Sequence, residues 1–228
     1  MGIDVSPILI SLKTALTATI ITFFIGIFTA QIMTNYNGKF KGIIDAIFTL
    51  PLVLPPTVVG FFLLLLFGKN GPFGKALQQI GIQLIFSWPA TVIAAVVVAF
   101  PLMYKTTRAA FEQIDTNIIN AARTLGLCEW SIFWRIIVPI AWPGIAAATI
   151  LAFTRALGEF GATLMIAGNI PGKTQTIPIA IFFAAEGGEM TKALMWVIII
   201  MSISFIVIVL MNYWSEYQRK IMIGRGKM

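Results

Sequence analysis

The chain contains no histidine, a single cysteine and little charge: only 11% of its 228 residues are Asp, Glu, Lys or Arg, against about 25% in soluble domains. Each scarcity excludes something. Without histidine, the commonest general base and the commonest metal ligand are gone. With Cys128 alone, no disulfide can form within the chain. An all-carboxylate metal site is unfavoured too, because most acidic residues sit at or beyond the ends of apolar runs. No nucleophile and base stand together, which disfavours a membrane-embedded hydrolase, and we assign no catalytic and no metal-binding residue.

What is abundant is apolar. Hydrophobic residues make up 58% of the chain, enough for about five spans of roughly 20 residues with short connections. We therefore expect an all-α membrane protein, a single transmembrane domain over residues 1–228 in contact with lipid. Its spans are placed at about 7–33, 43–67, 87–107, 136–167 and 193–214. The first run is too long for the apolar core of a signal peptide and has no Lys or Arg before it, so it is read as a true span. The net charge of +7 is spread at the flanks of apolar runs, which argues for membrane orientation and against nucleic acid.

Local signals shape individual spans. Ser11, Ala15, Ala18, Thr22, Gly26 and Thr29 recur every three or four residues, a narrow small-residue stripe that should face another helix. Gly144, Ala148, Ala152 and Ala156 make a second such stripe, read as packing. Pro51, Pro55 and Pro56 must kink or interrupt the second span. Residues 68–86 read as a mixed loop. Its Gly68 to Lys75 stretch fails as a phosphate-binding loop, because Gly74 falls out of register and Ala76 stands where Ser or Thr is needed. The apolar patch from Ile177 to Ala185 is too short to span.

Orientation follows from the basic residues. Lys39, Lys41, Lys105, Arg108, Arg123, Arg135, Arg219, Lys220, Arg225 and Lys227 fall on one side, against Lys13, Lys69, Lys75, Lys173 and Lys192 on the other. The excess puts residues 105–135 and the C-terminus in the cytoplasm and the N-terminus outside.

Within that cytoplasmic stretch, residues 114–135 carry a device. Asp115 can cap a helix starting near Thr116, with Ile114, Ile118, Ala121, Ala122 and Leu125 at helical spacing on one side and Gly126 to end it. About three turns of helix cannot stand alone in water. It either lies on the bilayer and its own spans, or docks a soluble partner.

The sequence Asn120-Ala121-Ala122, three residues, Gly126, nine residues, then Ile136-Ile-Val-Pro139 resembles the EAA loop of ABC-transporter permeases. That pattern is Glu-Ala-Ala, three residues, Gly, nine residues, Ile-any-Leu-Pro; here Asn120 replaces Glu and Val138 replaces Leu. Leu50-Pro-Leu-Val-Leu-Pro-Pro-Thr-Val-Val-Gly60, Gly158-Glu-Phe-Gly-Ala-Thr163, Asn169-Ile-Pro-Gly and Thr176-Ile-Pro178 are similar to the molybdate branch, and sulfate and tungstate permeases share much of this. The resemblance implies an ABC importer type I permease fold in the inner membrane of a prokaryotic cell. It also implies a homodimer, two cytoplasmic ATPase subunits that bind the ATP, and an external oxyanion-binding protein, with no cofactor in this chain. Asn120, Ala121, Ala122, Leu125, Gly126 and Pro139 become the ATPase-coupling residues. An ATP-independent secondary transporter is the alternative from another class.

Three residues are candidates for the translocation path. Arg155 and Glu159, four apart, form an ionisable pair inside the fourth span. An Arg or Asp at a span centre costs roughly 2.5 to 3.5 kcal/mol on insertion scales, so such residues usually face protein or water. They either border the oxyanion route or form an internal pair that holds spans together. Thr57, beside Pro56, either lines a watery cavity at the kink or belongs to a purely structural bend.

Overall fold

In the computed structural model of the chain, residues 4–225 are described, with the side chains of 211–212 and 214–225 excepted; Lys227 lies outside the described residues. Every regular element among them is helical. Four helices are long and apolar enough to cross a membrane: Ser6–Asn35, Trp88–Glu112, Glu129–Leu157 and Met190–Leu210. A bent pair, Lys41–Val53 with Pro56–Phe67, makes a fifth if counted as one span.

The core is a three-helix packet. Helix α1 (Ser6–Asn35) and α5 (Trp88–Glu112) run parallel, and α8 (Val138–Leu157) lies antiparallel to both. The expected stripe on α1 explains the close approach: Ser11, Ala15, Ala18, Thr22 and Gly26 are buried, and a Cβ added at Gly26 would sit 2.6 Å from Met103 Cγ. Only Thr29 of that stripe is half-exposed. On α8, Ala148, Ala152 and Ala156 are buried and Gly144 abuts Ala110. Small residues let backbones approach where lipid gives helices no hydrophobic reason to associate.

Buried hydroxyl groups in this packet find partners inside the protein, as a membrane interior requires, except Thr107 Oγ1, which has none. Thr19 and Thr22 donate back to Ala15 and Ala18 carbonyls on their own helix. At the N-terminal end of α1, Thr14 Oγ1 lies 3.0 Å from Thr91 Oγ1 and accepts from Trp88 Nε1 at 3.1 Å. Ser11 Oγ accepts the free N–H of Ile177, fastening α10 (Ile177–Glu186) to α1. Each such interhelical bond contributes about 0.6 kcal/mol on average.

The second span is two helices, not one kinked rod. Helix α2 (Lys41–Val53) and α3 (Pro56–Phe67) meet at 113°. Leu54 and Pro55 are extended, with ψ of 142° and 137°. A residue before proline is driven out of the α region, and two such residues stand in a row here. Pro56 then opens α3 at a position where its missing N–H costs nothing, while Pro51 is tolerated inside α2.

Two further differences have local causes. Residues 68–86, expected as a loop, contain α4 (Pro72–Gln79). Gly71 and Gly74 press against the carbonyls of Leu65, Leu66 and Gly68, so this glycine run makes a tight reversal at the end of α3. The fourth span, expected at 136–167, begins as helix at α7 (Glu129–Ile132) and stops at Leu157; α9 (Gly161–Ala167) is a separate short helix. Phe160, at φ −126° and ψ −61°, has left helical geometry, and the Glu159 carboxylate takes the Ala162 N–H that a continuing helix would have turned inward. The last helix, α11 (Met190–Arg225), contains the expected last span at 193–214, and its membrane-length apolar stretch is Met190–Leu210.

Candidate functional site

Two places gather the residues singled out by the sequence: a short helix beyond α5 and a pair of breaks within the spans. The short helix, α6, covers Thr116–Thr124, and the Asp115 side chain accepts from Asn117 N at its start. At its end Gly126 adopts φ +79°, with Gly126 N donating to Arg123 O and Leu127 N to Ala122 O. This is a full Schellman closure, which requires a left-handed residue after the helix. A Cβ at Gly126 would meet nothing within 4 Å, so glycine is needed there for its backbone and not for space.

The apolar residues of this segment divide between two faces. Ile114, Ile119 and Ala122 pack on the core of α1, α5 and α8. Ile118 and Leu125 point outward at 45% and 81% exposure, with Ala121 also exposed between them. The single amphipathic side expected from the sequence is therefore corrected: one face anchors the helix and an adjacent ridge, Ile118–Ala121–Leu125, is left open. Asn120 is exposed beside the ridge, and its Oδ1 accepts from Arg123 Nη1. Arg123 also grips both carboxylate oxygens of Glu129, at 2.6 and 3.1 Å, tying α6 to the start of α7. That carboxylate raises the Arg123 pKa above its ordinary value.

Beyond Glu129 the chain enters the span through one turn of π-helix, Phe133–Ile137, in which Val138 N donates to Phe133 O. Pro139 supplies the reason: it has no N–H to return to the preceding turn and its ring crowds the carbonyl four residues back, so the turn widens. Trp134 in the widened turn and Trp130 in α7 before it meet Phe28 of α1 at ring separations of 6.3 and 6.4 Å. Exposed tryptophans here suit a membrane–water boundary.

The second place lies deeper. Arg155 Nη1 is 2.7 Å from Glu159 Oε2, an ion pair outside hydrogen-bond alignment, and Glu159 Oε1 accepts from Ala162 N at 2.8 Å. The Glu159 side chain is 2% exposed and that of Arg155 27%. Gly144 against Ala110 and Thr149 Oγ1 at 3.9 Å from Met103 Sδ set the register of α8 on α5. Continued outward, that register brings Arg155 level with Val98, about 15 Å from Trp88 at 1.5 Å per residue. Arg155 thus sits near the middle of the length of α5. Thr57 is exposed and reaches the same neighbourhood through Gly161, where an added Cβ would lie 3.2 Å from Thr57 N. Gly60 repeats the contact one turn on, its absent Cβ falling 2.8 Å from Ala162 Cα. The break between α2 and α3 is therefore packed directly against the break between α8 and α9.

Sequence reasoning passed over one cluster. Asp45 Oδ1 accepts from Tyr104 Oη at 2.7 Å and from Arg108 Nη1 at 2.8 Å, and Arg108 Nε donates to Glu112. Asp45 and Arg108 were visible only as charges at span ends. The signal that could have paired them is an acidic residue one turn into one span and a basic residue near the end of another on the same side.

A two-break bundle with a capped helix projecting from one end is the architecture of an importer permease. Residues 22–216 match the family described as "Binding-protein-dependent transport system inner membrane component", and the chain belongs to that family. It is 43% identical over 194 residues to the molybdenum transport system permease protein ModB of Escherichia coli K12, covering 84% of this chain and 85% of that one. A probable sulfate transport system permease protein, cysT, of Chlorokybus atmophyticus is 36% identical over 211 residues, covering 92% and 74%. Among solved structures, a bacterial ABC transporter involved in the import of alginate has the same fold, with a TM-score of 0.74 at 16% identity over 92% of this chain and 79% of that one. The chain is thus a multi-pass membrane permease subunit and not itself an enzyme. Membership of that family disfavours the self-sufficient secondary transporter.

Proposed function

We propose that this permease imports molybdate by alternating access, as one of two identical copies, with two ATPase subunits on its cytoplasmic face and an oxyanion-binding protein outside. The observation that carries the coupling half of this reading is the exposed ridge Ile118–Ala121–Leu125 on a helix capped at both ends and clamped by Arg123 and Glu129. A rigid helix with an open apolar ridge is what a grooved partner can seize. ATPase closure would draw two such helices together, and α5 and the α7–α8 helix, which flank α6, would carry the movement into the bundle.

In this reading the N-terminus lies outside, and the coupling segment and C-terminus lie in the cytoplasm. The path runs past Thr57, Arg155 and Glu159, where the two breaks pack together. Cargo is supported by the identity to ModB; the sulfate relative supports sulfate as the second reading, and tungstate shares the same oxyanion chemistry. Proteoliposomes holding the chain, its companion ATPase and its binding protein provide the test, with radiolabelled molybdate, tungstate and sulfate as cargo. We expect molybdate uptake that stops without ATP or without binding protein. ATP-independent uptake would sink the reading, and preference for sulfate would change the cargo.

A further inference from the structure

The Arg155–Glu159 pair is unequal. Glu159 is almost wholly enclosed, with one oxygen on the Ala162 N–H and the other toward Arg155. Arg155 is partly open, and Glu159 meets it at Nη1, leaving the Nε–Nη2 edge of the guanidinium for a second acceptor. That edge offers two parallel N–H donors in the spacing that an oxyanion accepts. The pair stands level with the middle of α5, beside the two packed helix breaks, where irregular backbone is tolerated only if protein buries it or a cavity opens on it.

Taking oxyanion import as the function, we propose that Arg155 is an exchange site for the transported oxyanion and that Glu159 is its built-in competitor. With the path empty, Glu159 neutralises a guanidinium that would otherwise be an unpaired charge in a poorly solvated place. When the anion arrives, Arg155 turns its free edge to it, and the fixed carboxylate four residues away keeps the new pair weak. A transport path needs such weakness, because an anion held by an uncompensated arginine would not leave. Glu159 is the fixed member because its second oxygen is committed to the start of α9; Arg155, on a longer and more open side chain, is the member that moves.

The test is equilibrium binding of radiolabelled molybdate to the permease–ATPase complex in detergent, without binding protein. Glu159→Gln keeps an oxygen for the Ala162 N–H but removes the competing charge, and is expected to bind molybdate about tenfold more tightly than the parent. Glu159→Asp, which shortens the reach to Arg155, is expected to shift binding the same way by less, and serves if the Gln variant fails to accumulate. Adding Arg155→Gln to Glu159→Gln should return binding to background, and adding Arg155→Lys should leave it between the two, since lysine keeps the charge without the fork. Tighter binding is a gain that misfolding does not mimic.

Binding by both Glu159 variants no tighter than the parent's overturns the proposal. So does equal binding with and without Arg155 in the Glu159→Gln background, or full uptake by the double Gln variant, as a purely structural pair would allow. A parent complex that takes up no oxyanion with its binding protein present defeats the import reading itself. Normal parent uptake without the Glu159→Gln gain defeats only the exchange site.

Discussion

Asp45 and Arg108 meet at 2.8 Å across the packed ends of α2 and α5, with the fully buried Tyr104 hydroxyl bonded to the same carboxylate oxygen. No residue of α2 is fully buried, and this polar node, with Ile44 on the core and Phe48 edgewise on Phe100 and Tyr104, holds α2 against the bundle. Asp45→Leu leaves the Tyr104 hydroxyl and an Arg108 donor without their acceptor. It should lower stability by about 2 to 4 kcal/mol, while Asp45→Asn, which keeps an oxygen in place, should lose about 1 kcal/mol. Thermal unfolding of the detergent-solubilised protein, followed by size exclusion, measures both; melting of Asp45→Leu at the parent's temperature would show that the node does not bear on stability.

The open ridge makes the second prediction. Leu125→Glu changes a residue that is 81% exposed, so the permease itself should fold and accumulate normally. Its association with the ATPase should fall about tenfold or more, the range of a central apolar anchor. Ala122→Leu, at a buried position on the anchoring face, should instead reduce accumulation. Quantitative co-purification separates the two, and normal ATPase recovery with Leu125→Glu would place the contact elsewhere.

How far the sequence reached can be judged from these same residues. Asp115 as cap, Gly126 as terminator and the breaking power of Pro55–Pro56 were all legible, because capping and proline effects are local and act through the backbone. The stripes on α1 and α8 were legible because small residues at helical spacing have few other uses. Which way Ile118 and Ile119 point was not, since adjacent positions on a short helix differ by the placement of the whole element and not by composition. The stop at Leu157 was missed for a related reason: Gly158 alone is tolerated in a helix, and the decisive act is the Glu159 carboxylate reaching Ala162 N, a choice made by three-dimensional context. Thr57 and Arg155 stand out in the sequence for separate reasons, and nothing in their spacing foretells that Gly161 brings their neighbourhoods together.

Gly60 offers a third test, of the contact between the two breaks. Any side chain there must displace the α9 backbone, since its Cβ would lie 2.8 Å from Ala162 Cα and 3.1 Å from Ala162 O. Gly60→Val should therefore abolish uptake and reduce accumulation, with a cost of about 1 to 3 kcal/mol from overpacking. Gly42→Ala is the matched control, because an added Cβ there meets nothing within 4 Å. Uptake by Gly60→Val at the control's rate would mean that α3 and α9 need not touch for transport.

The last prediction concerns the clamp between Arg123 and Glu129. Both side chains are exposed, at 47% and 64%, so solvent screens the pair and its loss should leave the melting temperature of the permease unchanged. Its geometry is nonetheless bidentate, and it joins the C-terminal end of α6 to the first residue of the helix that enters the span. A clamp in that position fixes the angle of the coupling helix and not its existence, because Asp115 and the Gly126 closure hold the helix independently. Arg123→Ala and Glu129→Ala should each leave ATPase co-purification within about threefold of the parent while lowering the amount of oxyanion moved per ATP hydrolysed. The reciprocal exchange, Arg123→Glu with Glu129→Arg, should recover much of that ratio, since the pair is restored with its charges reversed. Measured in proteoliposomes, a transport-to-hydrolysis ratio unchanged in both alanine variants would show that the angle of α6 is set by its buried face, Ile119 and Ala122, and that the clamp takes no part in coupling.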